Sequence, residues 1–407
     1  MPQSACLTSC LMITEEMMID LVKKRIKGIL TAGSFFAVNR AMIPFTKVDP
    51  KKVLFASDVR KEIGGNMKFV YDWLPKDKYR IVTDFKADRR IKRTLKQDLT
   101  LVYNMTTCHY MLLEDYFRYT SYMKVRKGQE IVQLWHGAGA YKKFGFSRAN
   151  GDEGIKIHKG YRKYAKAIVS AEPIRKCYAE AFDIALKKVQ ATGVPRTDIF
   201  FDKEYIGNKR EELYRDFPFL KDKKVILFAP TYRGTRAEDA AYDFDKIMPD
   251  KFCDALGDDY VFIFKWHPAT YNNLKIEEKK AYDLEKYNGF FHDLSQARDI
   301  NDLLLVTDVL ITDYSSVIFD YLLTDKPIVY YTYDQKDYEG GRGIYFDFDT
   351  YVYGRVARDQ DELIEAIKAG DMCEDKRETF RNRFMSACDG RSTEKTCEWI
   401  FNDKLEN

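Results

Sequence analysis

The chain has 407 residues, 45% of them apolar and 32% charged, a globular balance that excludes wholesale disorder. Its 67 Lys and Arg stand against 63 Asp and Glu, and the net charge of +4 is too small for a histone-like polyanion binder. At roughly 150 residues per domain the length predicts two or three domains, and 22 Gly with 11 Pro exclude a fibrous or low-complexity chain.

Residues 15–31 predict an amphipathic helix. Met17, Met18, Leu21, Val22, Ile26, Ile29 and Leu30 recur at helical spacing, with Lys23, Lys24, Arg25 and Lys27 between them. Such a helix suits an anionic membrane surface, or packs its apolar face on an adjoining domain. Glu15, Glu16 and Asp20 interrupt the apolar run, so a secretory signal is not expected. No stretch approaches the ~20 apolar residues of a spanning helix.

Short apolar runs then alternate with helix-like segments. Val53–Ala56, Ile81–Thr83, Leu101–Tyr103, Ile131–Trp135, Ile168–Ser170 and Val189–Thr192 are predicted strands. Val225–Phe228, Tyr260–Lys265, Val309–Thr312 and Ile328–Thr332 continue the series. This alternation predicts βαβ units and mostly parallel sheets. The charge-rich segment 203–224, which holds Pro218, suits a connection between two sheets. Residues 76–96 carry nine Lys and Arg against three acids, which reads either as a solvated face or as a contact for lipid head groups or an anionic polymer.

In parallel sheets, ligands bind at the carboxyl ends of strands, and the informative residues stand there. His136 and Gly137 follow the strand ending at Trp135, before a small-residue turn that lets another molecule approach closely. Thr231 and Arg233 follow Phe228 in a turn suited to phosphate. Lys265 and His267 precede Pro268, which forces the chain out of regular structure. Thr312, Asp313, Ser315 and Ser316 lead into a helix predicted over Val317–Leu323, after a short predicted helix at Asp299–Leu304. A helix start with hydroxyls can serve as an anion site or as plain N-capping. Arg196 adds a cation after another strand, or pairs locally with Asp198.

Neither GxxxxGK(S/T) nor GxGxxG occurs, so no P-loop or dinucleotide fingerprint is supported. The eight cysteines are scattered, without CxxC or a Cys/His set at zinc spacing. They read as reduced thiols of a cytoplasmic protein. No RRM, KH or zinc pattern appears, and nucleic acid is not an expected partner.

Taken in order, Trp135–Gly137, Gly193–Asp198, Ala229–Arg233, Lys265–Pro268 and Asp299–Pro327 resemble the CDP-glycerol glycerophosphotransferase family of teichoic-acid synthesis. The match covers roughly residues 130–350, and its last block is long and specific. The resemblance implies an α/β, GT-B-like fold of two Rossmann-like domains with parallel sheets facing across a cleft, plus the N-terminal amphipathic helix. The implied organisation is a membrane-contacting segment over 1–45, an acceptor domain over 46–202, a CDP-donor domain over 203–385, and a C-terminal helix in 386–407 packing back on the first domain.

The implied reaction moves a polyol phosphate from CDP-glycerol or CDP-ribitol to a hydroxyl of an undecaprenyl-linked acceptor and releases CMP. The implied place is the cytoplasmic face of the membrane, as a peripheral protein. His136 and His267 are the catalytic candidates. Arg196, Thr231, Arg233, Lys265, Thr312, Asp313, Ser315, Ser316 and Asp320 are the donor-binding candidates. Gly137 and Lys143 stand on the acceptor side. GT-B members of the family imply no essential metal and no cofactor.

Typical members read WHGTPLK where this chain has Trp135–Lys142, and PTWRD where it has Gly234 after Arg233. The strings at 137–147 and 193–201 are more similar to the branch with ribitol-phosphate polymerases, which leaves the polyol open. On this reading the long N-terminal extension of some polymerases is not expected. A GT-B glycosyltransferase and a non-catalytic binder of anionic polymer are the rival readings.

Overall fold

The computed structural model describes residues 33–149, 159–234, 239–273, 286–287, 289–297, 299–335 and 343–401. The helix expected over 15–31 lies outside these residues.

Alternation of apolar runs with helical segments yields two six-stranded sheets. The first comprises β1 (Asp49–Ser57), β2 (Arg80–Phe85), β3 (Cys108–Leu113), β4 (Glu130–Gln133), β5 (Tyr164–Ile168) and β6 (Val189–Gln190), in the order β2-β1-β3-β4-β5-β6. The second comprises β7 (Lys224–Phe228), β8 (Tyr260–Phe264), β9 (Phe291–Asp293), β10 (Val309–Thr312), β11 (Ile328–Tyr331) and β12 (Arg355–Ala357), in the order β12-β11-β10-β7-β8-β9. Every pairing whose register is described is parallel. Strands buried on both faces explain the continuous apolar runs, and Val225–Phe228 and Tyr260–Phe264 are buried throughout.

Contacts gather the described residues into two units. Of the described residues, one takes those within 33–63, 75–132 and 159–165, and the other those within 64–74, 133–149 and 166–401. Ile226, Phe228, Phe262, Ile311 and Val329 form the floor of the second sheet's core, with Leu363 and Ile367 of the helix Gln360–Ala369 packed on them. Each such side chain, fully buried, contributes about 1.5–3 kcal/mol of transfer free energy. The helix Ser392–Phe401 packs on the helix Gly65–Trp73, where the rings of Phe401 and Trp73 stack at 6.4 Å.

The strand expected at Leu101–Tyr103 is instead part of the helix Leu95–Thr107. A capping box sets its start: the Thr94 hydroxyl accepts from Gln97 N while the Gln97 side chain accepts from Thr94 N. Leu101, Val102 and Met105 face the core at helical spacing. The strand β3 begins directly after this helix, at Cys108.

Lys52 on β1 is buried, and its ammonium donates to Asn104 Oδ1 (2.8 Å) and Thr107 Oγ1 (2.7 Å). Burial lowers its pKa to about 8. The unfolded chain keeps that proton to about pH 10.4, so Lys52 makes stability rise with pH between about 8 and 10.4, by at most ~1.4 kcal/mol per unit. A thermal melt of wild type against Lys52→Met is therefore expected to show wild type gaining on the variant between about pH 7.5 and pH 9.5.

Among the described residues no helix is long and apolar enough to cross a membrane. The six described cysteines are free thiols.

Candidate active site

Because β10, β7 and β8 are parallel neighbours, the segments that follow them leave one edge of the second sheet. Asp313 ties two of these exits together. Its Oδ1 accepts from Thr231 N (2.8 Å) and Tyr314 N (2.6 Å), and its Oδ2 accepts from Arg233 Nη1 (2.8 Å). Arg233 is also held by Asp334, with Nη2 donating to Oδ1 at 2.9 Å. Two carboxylates thus engage Arg233, and its strongest observed role is to brace this edge. The Thr231 hydroxyl is buried and makes no hydrogen bond among the described residues. A buried hydroxyl without a partner is costly, and a phosphate oxygen would satisfy it.

Thr312 is fully buried and donates to Ala229 O at 2.6 Å, which suits positioning rather than ligand contact. Lys265 donates through Nζ to Ser295 O (3.0 Å) and to Ala297 O, so its ammonium anchors the loop at 295–297. Burial lowers its pKa. His267 is exposed, and its ring lies 4.8 Å from that of Tyr232. Its Nδ1 accepts from Ala269 N at 3.1 Å, which places the proton of a neutral imidazole on Nε2.

Ser315 and Ser316 precede the helix Val317–Tyr321, which passes into a 3-10 turn at Leu322–Thr324. The helix is two residues shorter than expected. Ser316 makes no side-chain cap bond, and Ser315 Oγ accepts from Val317 N only at 3.4 Å. The Ser316 hydroxyl is therefore not committed to capping, and Ser315 is committed only weakly.

The strand before His136 ends at Gln133, two residues earlier than expected. Trp135 then takes a left-handed conformation (φ 54°), rare for a bulky residue and a mark of imposed strain. Three contacts hold it. Gln133 Oε1 accepts from Trp135 N at 2.9 Å, Asn66 Nδ2 donates to Trp135 O at 2.7 Å, and the indole stacks on Phe144 at 4.7 Å. The exposed His136 ring stacks on the same indole at 4.6 Å. Gly139 N donates to Ser170 Oγ at 2.9 Å, and the Tyr178 hydroxyl lies 3.1 Å from Gly137 O and 3.0 Å from Gly139 O. Lys143 is exposed, and its backbone N donates to Gly343 O at 2.8 Å.

Two contacts join this turn to the helix after Ser316. A Cβ at Gly139 (φ 63°) would stand 2.3 Å from the Phe319 ring, so only glycine allows the turn to sit there. Arg196 donates to His136 O through Nη1 and is clamped by Asp320, Nη2 to Oδ2 at 2.7 Å and Nε to Oδ1 at 3.1 Å. The partner of Arg196 is thus Asp320. Asp198, its expected local partner, instead accepts from Ser392 N (2.9 Å) and Thr393 N (2.7 Å). His136, Arg196 and the segment 313–320 form one contiguous cluster, and Asp313 links it to Thr231 and Arg233.

Sequence reasoning missed Asn66 and Asp334. Asn66 is fully buried, and besides Trp135 it accepts from Arg196 N through Oδ1 at 2.9 Å. Its partners lie far along the chain, and no local pattern marks it. Asp334 did carry a signal, because it follows β11 as His267 follows β8. Among the described residues no three His, Cys, Asp or Glu are grouped to hold a metal ion.

The family described as CDP-glycerol:poly(glycerophosphate) glycerophosphotransferase matches residues 36–402. The chain belongs to this family. It is 40% identical over 356 residues to the teichoic acid poly(ribitol-phosphate) polymerase of Bacillus spizizenii, covering 87% of this chain and 56% of that protein. It therefore spans little more than half the length of that relative. It is 33% identical over 388 residues to the teichoic acid ribitol-phosphate primase of the same species, covering 92% of this chain and 96% of that one. A solved structure of a variant of the wall teichoic acid polymerase TagF superposes with a TM-score of 0.74 at 22% identity, covering 96% of this chain and 98% of that one. At that identity the likeness concerns the fold, and it agrees with the α/β, GT-B-like architecture expected of the glycerophosphotransferases.

Proposed function

We propose that this chain transfers a polyol phosphate, glycerol phosphate from CDP-glycerol in the first reading, to a hydroxyl of an undecaprenyl-linked or polymer acceptor. CMP is released, and the product belongs to teichoic acid or a related cell-surface polymer. The observation that supports it most is the cluster in which Arg196 and Asp320 hold the backbone of His136 against the segment carrying Ser315 and Ser316.

In this reading the exposed His136 imidazole takes the proton of the attacking hydroxyl. The new O–P bond forms as the bond from phosphorus to the CMP oxygen breaks, with no covalent intermediate on the protein. His267, through Nε2–H, and the hydroxyls of Thr231, Ser315 and Ser316 offset the charge on the phosphoryl oxygens and on departing CMP. Arg196, Arg233, Lys265, Thr312, Asp313 and Asp320 position these groups. Gly137 leaves room for the acceptor, and Lys143 stands on its side. No essential metal enters this scheme, and chelation with EDTA is expected to leave turnover unchanged.

The test is to incubate the protein with CDP-glycerol, CDP-ribitol and UDP-sugars beside a lipid-linked acceptor analogue. CMP release supports phosphotransfer. UDP release moves the assignment to a glycosyltransferase, and polymer binding without turnover moves it to a non-catalytic binder. The second reading takes CDP-ribitol as donor. What favours it is that the two relatives, at 40% and 33% identity, are named for ribitol phosphate.

Replacing Ser315 and Ser316 together by alanine is expected to weaken CDP-polyol binding about tenfold, the worth of one charge-assisted bond or two neutral ones. Calorimetry reads this directly, and unchanged affinity would place the diphosphate elsewhere. The reading also places the protein at the cytoplasmic face of the membrane, attached peripherally. Sedimentation with anionic vesicles checks it, and a protein that stays in the supernatant at low salt is not so attached.

A further inference from the structure

The basic segment at 76–96 is not a uniform solvated face. β1 ends at Ser57 and β2 at Phe85, and just beyond these ends lies a cleft of about 370 Å³. Its wall includes Lys61, Thr83, Asp84, Lys86, Lys92 and Arg93. Four cations there face one carboxylate, and that carboxylate is already taken, because Arg93 Nη2 binds Asp84 Oδ1. Arg93 is also committed through Nη1 to Asp58 Oδ1 at 3.0 Å.

The three lysines are different. Lys61 and Lys92 are exposed and pair with no acid among the described residues. Lys86 is 7% exposed, yet among the described residues its Nζ finds Arg89 O at 3.3 Å and Asp58 Oδ1 at 3.6 Å, neither of them short. A buried ammonium with three donors and no short partner is under-compensated, and burial lowers its pKa accordingly.

We propose that this cleft is a phosphate subsite that takes a phosphodiester of a polyol-phosphate chain. It rests on the reading above, in which such a chain is the acceptor. The net positive wall attracts the anion, and a phosphate oxygen gives Lys86 the short acceptor it lacks. The Thr83 hydroxyl at the rim can bond the hydroxyls of the polyol. A flat bilayer surface would reach Lys61 and Lys92 but not the buried Lys86. A chain of small phosphodiester units enters the cleft.

The test is direct binding, without any CDP-donor, of a short synthetic glycerol-phosphate oligomer to the full chain, followed by calorimetry. Wild type is expected to bind, more weakly as salt rises. Lys61→Ala with Lys92→Ala, both at exposed positions, is expected to lose about tenfold in affinity and to flatten the salt dependence. Lys86→Met is expected to lose at least as much, with a thermal melt showing that it folds. No oligomer binding to wild type, equal binding by the folded variants, or binding to phosphatidylglycerol vesicles but not to the oligomer each overturns the proposal. Because no donor is present, the result stands apart from the transferase assay. If wild type releases CMP but does not bind the oligomer, only the subsite is removed.

Discussion

His136→Ala is expected to lower CMP release by about 10²–10⁴-fold while CDP-polyol affinity stays close to wild type. The imidazole is exposed, so its removal opens no cavity in a core and the fold should survive. What holds the turn is the backbone of His136, bonded by Arg196, together with the pinned indole of Trp135. Those contacts remain in the variant. The loss should therefore fall on turnover, read by steady-state assay, with donor binding read separately by calorimetry. A variant that keeps more than a tenth of its turnover removes His136 as the base.

Asp320→Ala should have the largest effect on stability. Asp320 is 2% exposed, and it accepts two bonds from Arg196 and a longer one, 3.4 Å, from Asn301 Nδ2. Deleting the carboxylate leaves a guanidinium without its counter-charge in a largely buried place, at a cost of about 3–5 kcal/mol. Denaturant unfolding reads that loss. Arg196→Met combined with Asp320→Ala removes both charges and should recover much of the stability, since the unpaired charge is the larger part of the penalty. Activity should not recover, because the bond from Arg196 to His136 O is then gone. A double variant with wild-type turnover would show that the ion pair serves the fold alone.

These expectations draw on different kinds of information. The runs Val225–Phe228, Tyr260–Phe264 and Val309–Thr312 were legible because a strand buried on both faces must be apolar throughout. His267, Thr231 and Ser315 could be picked out because each follows such a run, and a parallel sheet presents those ends to ligand. Leu101–Tyr103 misled because three apolar residues look alike in a strand and on the inner face of a helix. The deciding signal was the Thr94–Gln97 capping box, seven residues upstream of Leu101.

By itself the sequence determined the alternation of strand and helix, the residue types at the strand ends, and the family. Those are properties of local periodicity and of residues close together along the chain. Tertiary structure decided which charges meet. Arg196 passes over Asp198, two positions away, for Asp320, 124 positions away, and Asn66 reaches Arg196 across 130. Side-chain partners depend on where topology carries each strand end, and a linear pattern holds no measure of that distance.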